Sequence, residues 1–148
     1  CNALIEDALA KGARLLAGGL SDSTQMRATL LDGVTREMRI WHEESFGPVK
    51  SIIRVKDEAE ALAVANESEY GLSSAIYSRD SARAWNLAQN LQTGICHING
   101  PTVHDEAQMP FGGCKSSGYG RFGGRAGIAE FTELRWITLQ TVPRELPF

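Results

Sequence analysis

The feature that most constrains the fold lies between residues 49 and 99, where short predicted strands alternate with segments whose apolar residues have helical spacing. Residues 49–55, 72–77 and 95–99 are predicted strands, because each is a short apolar run bounded by polar or turn residues. The segments between them carry apolar residues at helical spacing. Parallel strands need a crossover connection, which is usually a helix. The sequence therefore predicts an α/β fold, a parallel sheet with flanking helices.

Local signals mark where the predicted helices begin and end. Asp57 with Glu60 three residues later is typical of a helix N-terminus of the capping-box kind. Asp80 or Ser81 is expected to cap the next helix, and Gly71 to end the unit before it. Four further elements are predicted: a helix from Leu4 to Leu16 that Gly18 stops, and segments 28–31 (strand), 127–131 (helix) and 134–142 (closing strand).

Composition excludes several classes of function. The chain has 148 residues, enough for one domain, and its net charge of -3 with no basic cluster gives no reason to expect nucleic-acid binding. No apolar run approaches the roughly 18 residues of a membrane-spanning helix. The three cysteines are widely spaced and form no metal-ligand pattern, so we expect reduced thiols in a cytoplasmic protein and no metal.

Residues 99–124 form a long irregular stretch, which inside a compact domain is usually functional. Within it, residues 118–123 match the Gly-x-Gly-x-x-Gly pattern of dinucleotide-binding turns. That interpretation needs a strand before the glycines and an acidic residue about 20 positions later. No strand is predicted there, and Thr138 stands where the acid would be. We therefore expect the glycines to shape a loop packed against other backbone.

Two other motifs carry more information. Residues 43–48 read Glu-Glu-Ser-Phe-Gly-Pro, and residues 110–121 read Pro-Phe-Gly-Gly-Cys-Lys-Ser-Ser-Gly-Tyr-Gly-Arg. By residue type alone the first would be a solvated acidic turn. With Tyr-Gly-Leu at 70–72 between them, the motifs resemble the C-terminal part of the catalytic domain of the aldehyde dehydrogenase superfamily. Residues 94–101 look most similar to its bacterial members for aromatic aldehydes such as vanillin, benzaldehyde or salicylaldehyde.

The resemblance implies a nicotinamide cofactor, NAD or NADP, and three residues that contact it. Glu44 would hold the hydroxyls of the nicotinamide ribose, Phe46 would pack beside that ribose, and Leu72 would lie near the nicotinamide ring. A carboxylate can accept two hydrogen bonds from a vicinal diol, so the role of Glu44 is chemically sensible. Leu72 could equally be the first residue of a buried strand, and both roles can hold at once.

The resemblance also implies that the loop 99–110 walls the aldehyde tunnel. Thr102, Val103 and His104 are the candidates for this wall, and Phe111 would line the substrate site. The alternatives are that His104 is a surface or packing residue and that Phe111 is an ordinary core anchor.

In the family mechanism a cysteine thiolate attacks the aldehyde, hydride passes to the nicotinamide, and a water activated by glutamate releases the acid. The resemblance places all the catalytic groups before residue 1, so Cys1, Cys96 and Cys114 are not expected to be nucleophiles. We assign no catalytic residue, and we expect the chain alone to be inactive because the nucleophile and the phosphate-binding segment are missing.

Residues 1–133 would then belong to the catalytic domain, and residues 134–148 would be an oligomerisation strand and tail of a homodimer or homotetramer. The alternative is a truncated, non-catalytic relative that acts as a protein-interaction domain.

Overall fold

A computed structural model describes residues 1–145, which form five helices and seven strands. In chain order they are α1 (Asn2–Ala10), β1 (Arg14–Ala17), β2 (Thr29–Asp32), α2 (Arg39–His42), β3 (Val49–Ile52), α3 (Glu58–Glu67), β4 (Tyr70–Gly71), β5 (Ser73–Ile76), α4 (Ser81–Ala88), β6 (Ile95–Ile98), β7 (Cys114–Lys115) and α5 (Gly124–Glu130). No helix within this range is long and apolar enough to cross a bilayer.

The strands form three small sheets. In the first, β2 lies between β1, which is antiparallel to it, and β3, which is parallel to it. In the second, β5 pairs with β6 in parallel, and in the third, β4 pairs with β7 in antiparallel orientation. The α/β class is confirmed. The two parallel pairs nevertheless belong to separate sheets in the described chain, so α3 connects two sheets instead of crossing over within one.

The buried core lies under α1 in the N-terminal part of the chain. Ile5 of α1 packs with Leu31 of β2, Val49 of β3 and Met38, and all four are almost completely buried. By contrast, α3 and α5 contain no buried residue, and every residue of β5 and β6 is only half-buried. The part of the chain around β5 and β6 therefore keeps open surfaces at which clefts can form.

The predicted N-caps are confirmed. Asp57 Oδ1 accepts a hydrogen bond from the Glu60 backbone N–H at 2.8 Å, and Asp80 Oδ1 accepts one from the Arg83 N–H at 3.0 Å. The Glu60 carboxylate accepts from the N–H of Lys56, at 2.8 Å, instead of the N–H of Asp57 itself. Asp57 and Asp80 therefore cap the N-termini of α3 and α4, as the sequence predicts.

The predicted extent of the first helix is wrong. α1 ends at Ala10, and Leu15 and Leu16 lie in β1 instead. The cause is Gly12, whose φ of +98° is a left-handed conformation. Around it, the N–H of Ala13 bonds to Ala8 O at 2.9 Å and the N–H of Gly12 bonds to Leu9 O at 3.1 Å, which is the Schellman pattern of a helix end. The glycine stops the helix before the leucines that shared its spacing.

The predicted closing strand at residues 134–142 is also not formed in the single chain. These residues have no strand pairing, and Leu134, Trp136 and Leu139 are almost fully exposed. A strand needs a neighbouring edge for its backbone groups, and within the described residues this segment pairs with none. The last residues of the predicted tail, 146–148, lie outside the described residues.

An ion cluster joins β1 and β2 to the segment that follows β3. Asp32 at the end of β2 has a side chain that is 1% exposed, and its carboxylate accepts hydrogen bonds from Arg54 at 2.9 and 3.0 Å and also from Arg14 on β1. The hydrogen bond from Arg54, followed by that from Arg14, holds the pKa of Asp32 at about 2, although burial acts in the opposite direction. The charged form of this carboxylate is the stable one.

Replacement of Asp32 by Asn should lower the melting temperature of the chain at pH 7, because the two arginines lose the charge they share. A depressed pKa means that the contribution is fully present above the ordinary value of 3.8 and is lost as the pH falls towards about 2. Thermal unfolding of both proteins from pH 7 to pH 2.5 measures this. Asp22→Asn, at an exposed site, is the control. Equal melting temperatures for wild type and Asp32→Asn at pH 7 would contradict the interpretation.

Candidate functional site

Glu44 and Leu72, two of the three predicted cofactor residues, line one open cleft of about 410 Å³. We call it the Glu44 cleft, and define it by Glu44, Leu72, Ser74, Thr93 and Ser117. Glu44 lies just after α2, and Leu72 lies between β4 and β5. The fold therefore brings together two residues that the sequence connects only through the family resemblance.

Three hydroxyl groups of the Glu44 cleft were missed in the sequence. The hydroxyls of Ser74 and Thr93 bond to each other at 2.7 Å, and Ser117 Oγ accepts a hydrogen bond from the N–H of Gly71 at 2.9 Å. Ser and Thr are common residues with no spacing signal here, so only the tertiary structure could reveal that they meet. They give the cleft a polar wall beside the apolar side chain of Leu72.

The two adjacent glutamates of residues 43–48 have different environments. Arg39 donates to both carboxylate oxygens of Glu43, at 2.6 and 2.8 Å, and this hydrogen bonding lowers the pKa of Glu43. Within residues 1–145, the carboxylate of Glu44 accepts no hydrogen bond and forms no ion pair, and Glu44 is exposed. Glu43 is thus already paired, whereas both carboxylate oxygens of Glu44 are available as hydrogen-bond acceptors.

Phe46 does not join Glu44 and Leu72. Its side chain is 91% exposed and lies outside the residues that line the Glu44 cleft. The turn that carries it is held by Ser45, whose hydroxyl donates to Val49 O at 3.1 Å. In this chain Phe46 is therefore a projecting aromatic side chain and not a wall of the cleft.

A second cavity, of about 390 Å³, contains two of the four predicted substrate residues. We call it the imidazole cavity, and define it by His97, His104, Glu106, Met109 and Phe111. His97 comes from β6, and the other four come from the loop that follows it. The structure thus places His104 and Phe111 on the same cavity.

The other two predicted substrate residues lie outside that cavity. Val103 is 91% exposed and is not part of the lining. Thr102 contributes its carbonyl oxygen, which accepts a hydrogen bond from Ser73 Oγ at 2.8 Å and so anchors the loop to β5.

A pair of imidazoles gives the cavity its polar character. The rings of His97 and His104 meet edge to face, with centroids 5.4 Å apart and planes at 88°. His104 Nε2 lies 3.4 Å from a carboxylate oxygen of Glu106. His97 Nε2 is buried and forms no hydrogen bond with any atom of the described chain. From the sequence alone, His97 is only a polar residue within the predicted strand 95–99.

The thiols occupy ordinary positions. Cys96 is half-buried in β6, Cys1 is exposed, and Cys114 Sγ donates to Gln92 O at 3.1 Å. Within residues 1–145 no group of three or more His, Cys, Asp or Glu side chains could hold a metal ion.

The glycines of the loop permit close contacts between backbone segments. A Cβ on Gly94 would lie 1.8 Å from Gly112 O, and a Cβ on Gly123 would lie 2.2 Å from Met109 O. Gly118, Gly120 and Gly123 have φ of +112°, +75° and +89°. These contacts are those of a packed loop, as expected. The helix that follows the glycines, α5, has seven residues, and the strand before them, β7, has two.

The chain matches the model of the aldehyde dehydrogenase family over residues 1–137. Over 145 residues, 98% of the chain, it is 62% identical to vanillin dehydrogenase of Pseudomonas fluorescens. It also superimposes on the crystal structure of a salicylaldehyde dehydrogenase from Pseudomonas putida G7 complexed with salicylaldehyde, with a TM-score of 0.93, 50% identity and 99% of the chain covered. The chain spans about 30% of the length of each of these two proteins.

Two further similar structures contain cofactors. An aldehyde dehydrogenase of Mycobacterium tuberculosis complexed with NAD+ matches 89% of the chain and 28% of its own length, at 34% identity and a TM-score of 0.82. A glyceraldehyde-3-phosphate dehydrogenase of Bacillus halodurans C-125, complexed with NADP, matches 85% of the chain and 26% of its own length, at 44% identity and a TM-score of 0.81. The similar structures therefore include one protein that binds NAD+ and one that binds NADP.

Replacement of Gly94 by Ala should destabilise the chain by about 3 kcal/mol, the upper part of the range for overpacking, because the new methyl group collides with backbone at Gly112. Equilibrium unfolding in urea measures the loss. Gly100→Ala is the matched control, since its nearest new contact would be His97 Cβ at an ordinary 3.6 Å. If both variants lose the same stability, the close approach at Gly94 does not hold the loop.

Proposed function

Because this chain belongs to the aldehyde dehydrogenase family, we propose that it forms one wall of the active site of an NAD(P)-dependent enzyme that oxidises an aromatic aldehyde to the carboxylic acid. The observation that carries the proposal is the Glu44 cleft, whose lining includes the apolar side chain of Leu72, several hydroxyls and a carboxylate that has no partner within residues 1–145. The aromatic substrate class is supported by the similarity to the vanillin and salicylaldehyde enzymes.

On this proposal the Glu44 cleft holds the nicotinamide half of the cofactor. The carboxylate of Glu44 accepts hydrogen bonds from the two ribose hydroxyls, which are charge-assisted and therefore strong. Leu72 packs against the nicotinamide ring, and Phe46 shields the ribose from outside the cleft. When bound, the nicotinamide accepts hydride from the substrate. Either NAD or NADP is compatible with these roles, because none of these residues contacts the position at which the two cofactors differ.

The imidazole cavity is proposed as part of the aldehyde site. Phe111 offers an aromatic side chain for the substrate ring, and His104 offers a polar group. Thr102 and Val103 complete the wall from the loop surface. None of these groups is proposed as catalytic, so the chain contributes positioning and shape to the site.

The nucleophile, the general base and the phosphate-binding segment are proposed to lie in sequence that this chain does not contain. Residues 1–148 alone should then show no turnover. The free thiols of Cys1, Cys96 and Cys114 are in keeping with a cytoplasmic location.

The rival proposal, a non-catalytic interaction domain, gives no reason for a cleft with an available carboxylate. It predicts that Glu44 can be replaced without any consequence for an associated enzymatic activity.

The exposed segment of residues 134–142 is proposed as an assembly strand. Trp136 and Leu139 are 90% and 86% exposed, and a stretch with such apolar side chains is poorly explained as free surface. Pairing with the sheet edge of a neighbouring subunit would cover these side chains and satisfy the backbone groups. The resulting enzyme would be a homodimer or homotetramer.

In the full-length enzyme, Glu44→Gln should reduce turnover tenfold to a hundredfold, because a hydrogen bond to a charged group is worth roughly 1.5–3 kcal/mol. Steady-state kinetics at saturating aldehyde, with the cofactor varied, measures the effect. The neighbouring Glu43→Gln is the matched control and should stay close to wild type, since Glu43 is bonded to Arg39. Unchanged turnover and cofactor Michaelis constant in Glu44→Gln would remove Glu44 from the site.

Deletion of residues 134–148 from the full-length enzyme should convert the oligomer to smaller species, because the proposed pairing strand is lost. Light scattering coupled to size-exclusion chromatography gives the mass. A variant carrying Trp136→Ser and Leu139→Ser keeps the chain length and should also weaken the assembly. An intact oligomer after the deletion would show that the segment has no assembly role.

A further inference from the structure

The imidazole cavity contains an unsatisfied polar atom. His97 Nε2 is covered from solvent, and no atom of residues 1–145 is placed to bond with it. Buried polar groups in native proteins almost always have a hydrogen-bond partner, so an exception needs a reason. A ligand that supplies the missing partner is one such reason, and the cavity beside His97 is where that ligand would lie.

His104 covers His97 but is weakly held. It lies on a loop outside any helix or strand, and its packing on His97 is edge to face. Its contact with Glu106, at 3.4 Å, joins two side chains that are each about half exposed. Few contacts therefore hold the ring of His104, and a rotation of its side chain would uncover more of the His97 ring.

The remaining lining restricts the chemistry of the ligand. Met109 and Phe111 provide apolar and aromatic surface, which suits a planar ring. Asp105 and Glu106 also line the cavity, and no Lys or Arg of the described chain does. Acidic side chains without a compensating cation disfavour an anionic ligand such as a carboxylate or a phosphate ester. A neutral aromatic ring that carries a hydrogen-bonding substituent fits best.

We propose that His97, with His104 as its mobile cover, recognises a hydroxyl group on the ring of the aromatic aldehyde substrate. A phenolic hydroxyl both donates and accepts, so it can pair with His97 Nε2 in either tautomer of the imidazole. His97 is then a specificity-determining residue, and it takes no part in the chemistry at the aldehyde carbon. This inference rests on the proposed function and adds the substituent that the site selects.

The test compares hydroxylated and unsubstituted substrates in the full-length enzyme. The values of kcat/KM are measured for benzaldehyde and for its 2-, 3- and 4-hydroxy derivatives. His97→Phe keeps a ring but removes the nitrogen, and it should lower the preference for the best hydroxybenzaldehyde over benzaldehyde at least tenfold, the order expected for one buried hydrogen bond. His97→Gln keeps a hydrogen-bonding group and should restore part of the preference. His42→Phe makes the same change on α2, outside the cavity, and should keep the wild-type ratio.

An unchanged ratio in His97→Phe, with both substrates still oxidised, would overturn the inference and leave the proposed function standing. Absence of any aldehyde oxidation by the wild-type enzyme, with NAD or NADP, would overturn the proposed function and the inference with it.

A second measurement uses the wild-type enzyme and so does not require that a variant folds. Histidine-labelled wild-type enzyme is titrated with 3-hydroxybenzaldehyde and, separately, with benzaldehyde, and the ring nitrogen resonances are followed by NMR. A shift of the His97 Nε2 resonance with the hydroxylated compound alone supports the proposal, and equal shifts with the two compounds contradict it.

Discussion

The close approach of backbone segments at glycines holds both clefts of this chain in place. The N–H of Gly94 bonds to Gly71 O at 2.9 Å, and the carbonyl of Gly112 lies where any side chain at position 94 would have to be. These contacts press the loop after β6 onto β4 and the start of β6. Side chains at these glycines would separate the segments, and with them the walls of the Glu44 cleft and of the imidazole cavity.

One loop therefore serves two sites. Its glycine-rich part contains Ser117, which bonds to β4 and lines the Glu44 cleft. Its earlier part carries His104 and Phe111 into the imidazole cavity, opposite His97 of β6. If the Glu44 cleft binds the cofactor and the imidazole cavity binds the substrate, as proposed, the shared loop fixes the distance between them, which hydride transfer requires.

The elements that could be predicted from the sequence are those decided by local chemistry. Asp57 and Asp80 each accept a hydrogen bond within their own helix turn, so the caps follow from neighbouring residues alone. The end of α1 was missed because the spacing of Leu15 and Leu16 continued past Gly12, whose left-handed conformation breaks the helix. The strand at 134–142 is absent from the single chain for a different reason, since a strand forms only against a partner edge, which the sequence of the segment does not reveal.

Only part of the candidate site could be predicted from the sequence. The family motifs pointed to Glu44 and Leu72, and the structure places them on the same cleft. Phe46, from the same motif as Glu44, is exposed and lies outside the lining of that cleft. His97 could not have been singled out, because an unpartnered nitrogen exists only in relation to residues distant in sequence. The pairing of Glu43 with Arg39, which separates the roles of the two glutamates, is likewise a property of the folded chain.

The central claim is that this chain supplies the ribose-binding wall of a nicotinamide site. A crystal structure of the full-length enzyme with bound cofactor tests it most directly. The account predicts that both hydroxyls of the nicotinamide ribose lie within about 3.2 Å of the Glu44 carboxylate oxygens, with the nicotinamide ring against Leu72. A ribose bound elsewhere, with Glu44 still exposed to solvent, would contradict it.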